Sequence, residues 1–196
     1  MLSAIVLAAG LSGRMGTENK LLLAYMNSTV LATTLSNIVS AGIEDIIVVT
    51  GHESSAISKQ TRQFPVRVVH NPLYKQGMTT SIQEGVKHAS GKGYMICLAD
   101  MLLIEPGEYR LLQQSFEACL SEDPKCICLP RYNHTKGNPV TFSSWYKPLI
   151  LAHTEMEGCK AIIQQHQQQV SWIDMPSNHI LTDMDYPEDY QKLLMQ

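Results

Sequence analysis

Residues 7–20 read Leu-Ala-Ala-Gly-Leu-Ser-Gly-Arg-Met-Gly-Thr-Glu-Asn-Lys and directly follow an apolar run, Ala4-Ile5-Val6-Leu7, that the pattern predicts as a first β-strand. Gly10, Gly13 and Gly16, with the small Ala8, Ala9 and Ser12, leave peptide N–H groups free to converge on an anion. Arg14 and Lys20 add positive charge where a polyphosphate would lie. A merely flexible surface loop is the bland alternative, but such loops seldom set Arg and Lys beside a glycine-rich turn at the end of an N-terminal strand. The spacing also discriminates among glycine motifs. A dinucleotide fingerprint needs Gly-x-Gly-x-x-Gly and an acidic residue closing the second strand; here the glycines are spaced Gly10-x-x-Gly13-x-x-Gly16 and that strand ends Val49-Thr50-Gly51. A P-loop needs Lys-Ser or Lys-Thr straight after its last glycine, whereas Gly16 is followed by Thr17-Glu18-Asn19 before Lys20.

The second chemical signal is Asp100, which ends the otherwise uncharged run Tyr94 to Ala99. In an open α/β sheet the ligand crevice lies at the carboxyl ends of the strands, where the 8–16 loop must also sit, so Asp100 is expected to face the phosphates. A carboxylate beside a polyphosphate is repulsive unless a cation bridges them, and Mg²⁺ takes one or two carboxylates together with phosphate oxygens. Capping of the following turn is the plainer role for such an Asp. Asp183 and Asp185 alternate on a segment expected to be extended, so one face can carry both. Asp189, in Pro187-Glu188-Asp189, is assigned to a helix start and kept out of the site.

These residues need a scaffold, and the chain alternates strands with helices. Val30, Leu31, Leu35, Ile38 and Val39 recur at helical spacing behind Asn27-Ser28-Thr29, which offers capping oxygens, and Gly42 marks the stop. Residues 46–49, 66–69 and 94–99 are continuous apolar strands, a pattern that predicts burial on both faces. Helical stretches near 54–62 and 79–89 are long enough for right-handed crossovers between parallel strands. Glu105-Pro106-Gly107 opens a further helix, followed by strands at 126–129, 140–142 and 170–173 and helices at 158–166 and 187–195. The expected fold is α/β, three-layered, with a mostly parallel Rossmann-like sheet, in a single domain over residues 1–196.

Composition bounds the classes. The chain has 196 residues, 44% hydrophobic, enough for one well-buried core. A net charge of −3 without basic clusters argues against nucleic acid as a partner. No apolar run reaches the roughly 20 residues of a membrane helix, and Met1-Leu2-Ser3 lacks a basic signal-peptide start, so a soluble, cytoplasmic protein without a membrane partner is expected. Cys97, Cys119, Cys126, Cys128 and Cys159 are expected as free core thiols; Cys126-x-Cys128 with His134 lacks a second zinc-ligand pair. The histidines form no metal-binding pair and Ser12 and Ser81 have no evident base partner, so no covalent nucleophile is indicated.

The loop resembles the signature of nucleotidyltransferases of the MobA-like/MocA-like family, in the molybdenum-cofactor branch and with a nucleotide-diphospho-sugar transferase type of fold. Further segments match in order: His70-Asn71-Pro72 with Gly77 and Ser81, Leu98-Ala99-Asp100, Gly137-Asn138-Pro139-Val140, and Asp183 to Tyr190. The resemblance implies transfer of a nucleoside monophosphate from a nucleoside triphosphate to a phosphorylated acceptor of molybdopterin type, with release of diphosphate. It implies a nucleotide site of Leu7, Ala8, Ala9, Gly10, Ser12, Gly13, Arg14, Gly16, Lys20, Gly77, Thr80 and Ser81. The last three are expected by the base and ribose. Lys20 and Mg²⁺ would act on the α-phosphate, Arg14 on the departing diphosphate, and Asp100, Asp183 and Asp185 would be the metal ligands. Cytidylyl members carry Leu-Ala-Ala-Gly where guanylyl members carry Leu-Ala-Gly-Gly, and Leu7-Ala8-Ala9-Gly10 therefore implies CTP over GTP, with UTP left open.

The chain departs from that pattern. Relatives carry a Pro two residues after the metal Asp, where this chain has Leu102; they carry Gly-His-Pro at Gly137-Asn138-Pro139; and a Gly-Asp-x-Gly-Ala-Arg segment is here Glu155-Met156-Glu157-Gly158-Cys159-Lys160. The acceptor stays open between molybdopterin and a sugar or alditol phosphate. A non-catalytic nucleotide-binding accessory protein for a molybdenum hydroxylase is the other alternative, and a molybdenum enzyme is a further possible partner.

Overall fold

The computed structural model describes residues 1–13, 19–184 and 186–195. Its strands are β1 (Ser3–Ala8), β2 (Ala24–Tyr25), β3 (Ser28–Thr29), β4 (Asp45–Thr50), β5 (Arg67–His70), β6 (Gly93–Leu98), β7 (Ile127–Tyr132), β8 (Thr135–Lys136), β9 (Val140–Ser143) and β10 (Val170–Asp174). Its α-helices are α1 (Val30–Ser40), α2 (Ser54–Thr61), α3 (Met78–His88), α4 (Pro106–Glu122), α5 (Lys147–Ala152), α6 (Lys160–Gln165) and α7 (Pro187–Leu194). The main sheet runs β10-β7-β9-β6-β1-β4-β5, with β8 beside β7, and β2 and β3 form a separate small ribbon. Every neighbouring pair along the main run is parallel except those of β9, which is antiparallel to both β6 and β7.

The strand pleat sorts side chains into two cores. Ala4, Val6, Ile46, Val48, Met95 and Cys97 pack with α1 and α4 residues such as Leu31, Leu35, Leu112 and Phe116. Ile5, Ile47, Val49, Tyr94 and Ile96 pack on the other face with Ile82 and Val86 of α3 and Ile150 of α5. Three layers follow, as the sequence predicts. Thr29 caps α1, its hydroxyl accepting from Ala32 N at 3.2 Å, and Gly42 with φ +86° follows the helix end. Gly85 lets α3 lie close on β1, since a Cβ there would stand 2.2 Å from Ile5 Cγ2.

Three expectations change in detail. β5 carries the apolar Val68 and Val69 but is the edge strand, and Val68 is 39% exposed, so it is not buried on both faces. The sixth helix begins at Lys160 rather than 158, because Gly158 has φ +75°. Residues 147–152, which no expectation covered, form the short α5. The five cysteines are unbridged, and all but the half-buried Cys119 lie in the interior. None of the helices among the described residues is long and apolar enough to cross a membrane.

Asp45 pins one end of the sheet. It is buried at the start of β4, opposite Ser3, and accepts from Ser3 Oγ at 2.5 Å, Ser90 Oγ at 2.9 Å, Ser90 N at 3.1 Å and Arg67 Nη2 at 2.5 Å. Burial works against its ionisation, but those donors outweigh it and hold its carboxyl below the ordinary value.

Candidate active site

The site forms where the chain switches direction across the sheet. β1 is flanked by β4 on one side and β6 on the other, all three parallel, so the loops that follow them converge on one edge. The loop after β1 and the segment after β6 meet there: Leu7 pairs with Leu98, and Ala99 N donates to Leu7 O at 3.3 Å. A cavity of about 430 Å³ opens at this edge.

The structure brings Leu7, Ala9, Gly10, Ser12, Lys20, Gly77, Ser81, Asp100 and Asp183 to the lining of that one cavity. Ala8, Gly13 and Thr80 are not part of its wall. Thr80 instead serves the backbone, its Oγ1 donating to Leu73 O or Gly77 O and accepting from Asn71. Arg14, Gly16 and Asp185 lie outside the described residues.

Lys20 and Asp100 form an ion pair, Nζ to Oδ2, with side chains only 16% and 10% exposed. Lys20 begins a 3-10 turn, Lys20–Leu22, capped by Asn19, whose Oδ1 accepts from Leu21 N at 3.1 Å. Ser12, in the left-handed region at φ +50°, accepts from Lys20 N at 3.3 Å and donates to Asn19 Oδ1 at 3.4 Å. Ser12 and Asn19 therefore fix where the lysine emerges. A non-glycine residue held at positive φ is a cost that sites of this kind carry for geometry.

On the opposite wall stands the first turn of α3. Gly77 has φ +104°, and a Cβ there would meet Met156 O at 2.8 Å, so glycine is required on two counts. The buried Asn71 ties this turn to the sheet: its N donates to Thr50 O at 2.8 Å and its Nδ2 to Ser81 Oγ at 3.0 Å. The positive end of the α3 dipole is thereby presented to the cavity. Thr79 bolts the same turn to the 155–158 segment, donating to Glu155 O and accepting from Gly158 N at 3.0 Å. Ala9 is buried beside Gly51 and Tyr74; a Cβ at Gly51 would stand 2.9 Å from that of Ala9.

Several wall residues were not anticipated. Tyr74, Lys75 and Met78 line the cavity, and Asn19 and Asn71 position others. Asn71 stood in a matched segment, and its signal was the Asn-Pro turn; Lys75 carried none beyond its charge. Asp189 sits in the first turn of α7 and accepts from Tyr186 N at 2.9 Å, a capping contact of the kind expected.

A second cavity, of about 250 Å³, adjoins the first, and Met78 and Leu98 line both. Its residues reach this edge because β9 is reversed: Val140, at its start, pairs with Ile96 near the end of β6. The residues before β9, Lys136 to Pro139, thus arrive where the loops after parallel strands also lie. The Asn138–Pro139 peptide is cis. Cys159 in this cavity has its thiol pushed up to about 12 by burial, so it is protonated near neutrality and does not act as a nucleophile.

Comparison with known proteins matches residues 4–170 to the model of the MobA-like NTP transferase domain family. The chain is similar to the molybdenum cofactor cytidylyltransferase of Escherichia coli (strain K12), 26% identical over 188 residues that span 95% of this chain and 92% of that one. It is 22% identical over 202 residues to the nicotine blue oxidoreductase of Paenarthrobacter nicotinovorans, across 97% of this chain and 95% of that one. Among solved structures it resembles Rv0371c of Mycobacterium tuberculosis H37Rv, with a TM-score of 0.85, 25% identity and coverage of 100% of this chain and 98% of that one. That mycobacterial protein has also been solved in complex with manganese, which superposes with a TM-score of 0.73 at 24% identity, over 100% of this chain and 98% of that one.

Proposed function

Since the chain belongs to the MobA-like NTP transferase domain family, we propose that it moves a cytidylyl group from CTP onto a phosphorylated acceptor of molybdopterin type and releases diphosphate. The observation that carries this reading is the Lys20–Asp100 pair, set in one cavity with Gly10, Ser12 and the start of α3. That wall combines cationic, dipolar and anionic groups, a combination that supports a site for a metal-bound triphosphate.

In this reading an oxygen of the ionised acceptor phosphate forms a bond to the α-phosphorus, and the bond from that phosphorus to the bridging oxygen of diphosphate breaks. Diphosphate leaves with the electron pair. No proton has to be removed from the acceptor, so the absence of a required base agrees with a wall whose chemistry is electrostatic. Lys20 stabilises the charge that builds on the α-phosphate oxygens. Backbone N–H groups of the 9–13 loop hold the phosphates, and Arg14 takes the departing diphosphate. Gly77 and Ser81 allow the nucleoside to lie against the first turn of α3. Ala9 narrows the pocket for the base and favours a pyrimidine.

The donor set suits a hard divalent cation, because Asp100 and Asp183 bring carboxylate oxygens into the same cavity, and Asp185 is assigned to the same group. Magnesium bound there would offset the charge of the triphosphate. Asp100 would then share its carboxylate between the cation and Lys20, whose ammonium, in the same cavity, would face the α-phosphate.

A screen of the purified protein for diphosphate release tests the reading, across CTP, UTP, GTP and ATP, with molybdopterin or a panel of sugar phosphates as acceptors. Release that requires CTP and molybdopterin is expected. Equal or better use of GTP would sink the cytidylyl assignment, and release only with a sugar phosphate would replace the acceptor. Binding of nucleotide without any turnover would favour the accessory role.

A further inference from the structure

Asp100 and Asp183 line one cavity but come from distant stretches of the chain, the first from the end of β6 and the second from beyond β10. Two carboxylates can share a hard cation only if the segments that carry them are held at a fixed separation. The Asp100 side is anchored on α1. Thr34 Oγ1 donates to Ala99 O at 3.0 Å, and Asn37 Nδ2 donates to Leu102 O at 3.1 Å and Ile104 O at 3.0 Å. Met101, Leu102 and Ile104 are buried, so packing and hydrogen bonds together hold the turn from Ala99 to Ile104.

The Asp183 side leads back to Glu108. This carboxylate lies in the first turn of α4, its side chain only 7% exposed, and it collects donors from both segments. Its Oε2 accepts from Glu105 N at 2.9 Å, at the end of the stretch that begins with Asp100. Its Oε1 accepts from Ser177 Oγ at 2.6 Å, and His179 Nδ1 donates to Oε2 at 2.8 Å, as the imidazolium or as the Nδ1–H tautomer. Ser177 also caps the 3-10 turn Asn178–Leu181, accepting from His179 N at 3.1 Å, and Asp183 stands two residues after that turn.

Capping of α4 accounts for the bond from Glu105 N alone. It leaves unexplained the other two donors, 69 and 71 positions along the chain, and glutamate is seldom buried unless paired. Ile180 and Met184 are fully buried and press the segment onto the core, but apolar burial has no direction. The register of the segment comes from its hydrogen bonds, those to Glu108 and the one from Asn138 N to Ile180 O at 3.0 Å.

We infer that Glu108, acting through His179 and Ser177, is a positioning residue that sets the separation of Asp100 and Asp183 and thereby the metal affinity of the site. The inference rests on the metal-dependent transfer reading above.

Manganese alone is the probe, titrated calorimetrically into the full chain as the parent, His179→Ala and His179→Asn. Hydrogen exchange of residues 178–184, read by mass spectrometry, accompanies it. An asparagine amide reaches about the place of the imidazole Nδ1 and keeps the donor. His179→Ala should weaken manganese about tenfold and speed exchange of 178–184 several-fold, and His179→Asn should restore most of both. Near-UV circular dichroism equal to that of the parent shows that the variants are folded; if His179→Ala is not, Ser177→Ala, which removes a single hydroxyl, takes its place. Unchanged manganese affinity in a folded alanine variant would overturn the proposal even if its unfolding midpoint fell, because the contact would then serve stability alone. An asparagine variant no better than the alanine one would overturn it as well. A parent that binds no manganese would instead refute the metal reading, and the exchange rates would still decide whether Glu108 holds the 178–184 segment.

Discussion

Removing the Lys20 ammonium should affect the rate more than the binding of nucleotide. The side chain is only 16% exposed, so water screens it incompletely. An ammonium about 4 Å from one unit of charge at an effective dielectric of about 20 contributes about 4 kcal/mol. Part of that is already present in the ground state, since the α-phosphate is charged before attack; about half, or about 2 kcal/mol, is left for the charge that develops. At about 1.4 kcal/mol per decade, Lys20→Met should lower kcat about 30-fold and change KM much less. The same substitution removes the cation that contests Asp100, so manganese binding without nucleotide should tighten several-fold in calorimetry. Steady-state kinetics of diphosphate release, with CTP varied at saturating acceptor, decides the matter. A variant with unchanged kcat and only a raised KM would refute the transition-state role, and unchanged manganese affinity would refute the sharing of Asp100 between Lys20 and the metal.

Three further outcomes are expected. Asp100→Asn should weaken magnesium–CTP binding and lower turnover; isothermal titration and turnover equal to the parent would remove Asp100 from the metal set. Ala9→Gly should raise kcat/KM for GTP relative to CTP, by up to about tenfold, by removing the methyl that narrows the wall; an unchanged ratio would show that the base is read elsewhere. Asp45→Ala should cost about 2 kcal/mol at pH 7, because Ser3, Ser90 and Arg67 lose their acceptor. The folded carboxyl lies below its ordinary value of 3.8, so its contribution is complete above that pH and is lost as pH falls through the folded value. Urea unfolding at pH 7 and near pH 3 should show the gap between parent and variant closing in acid, and a constant gap would contradict the assignment.

What could be read from the chain, and what could not, divides along physical lines. β1, β4 and β6 are legible because strands covered on both faces are continuous apolar runs, and the loop after β1 is legible because its glycines have no other use. The exposure of Val68 was hidden, since lying at a sheet edge is a property of the neighbours and not of the strand. The reversed direction of β9 was hidden for the same reason: Val140-Thr141-Phe142 reads identically in either sense. Gly137-Asn138-Pro139 and the Glu155 to Lys160 segment were each visible in the sequence, but that residues of both line one cavity depends on that reversal and needed the structure. Lys20 and Asp100 were legible separately, while their direct pairing needed the structure.

The placement of β9 also orders the way the sheet can assemble. β5, β4, β1 and β6 are consecutive in the sheet and complete by Leu98, so the part that carries Lys20 and adjoins Asp100 has its backbone ladder once residue 98 has been made. β7 cannot join that half directly; it is separated from β6 by a strand that follows it in the chain. During synthesis from the N-terminus, β7 must therefore wait until Ser143 has emerged, leaving Ile127 and Leu129 without their final neighbours in the meantime. A nascent chain halted between 132 and 140 would carry the paired β5-β4-β1-β6 half of the sheet beside an unpaired apolar strand, and that interval is where a chaperone or an aggregate would find it.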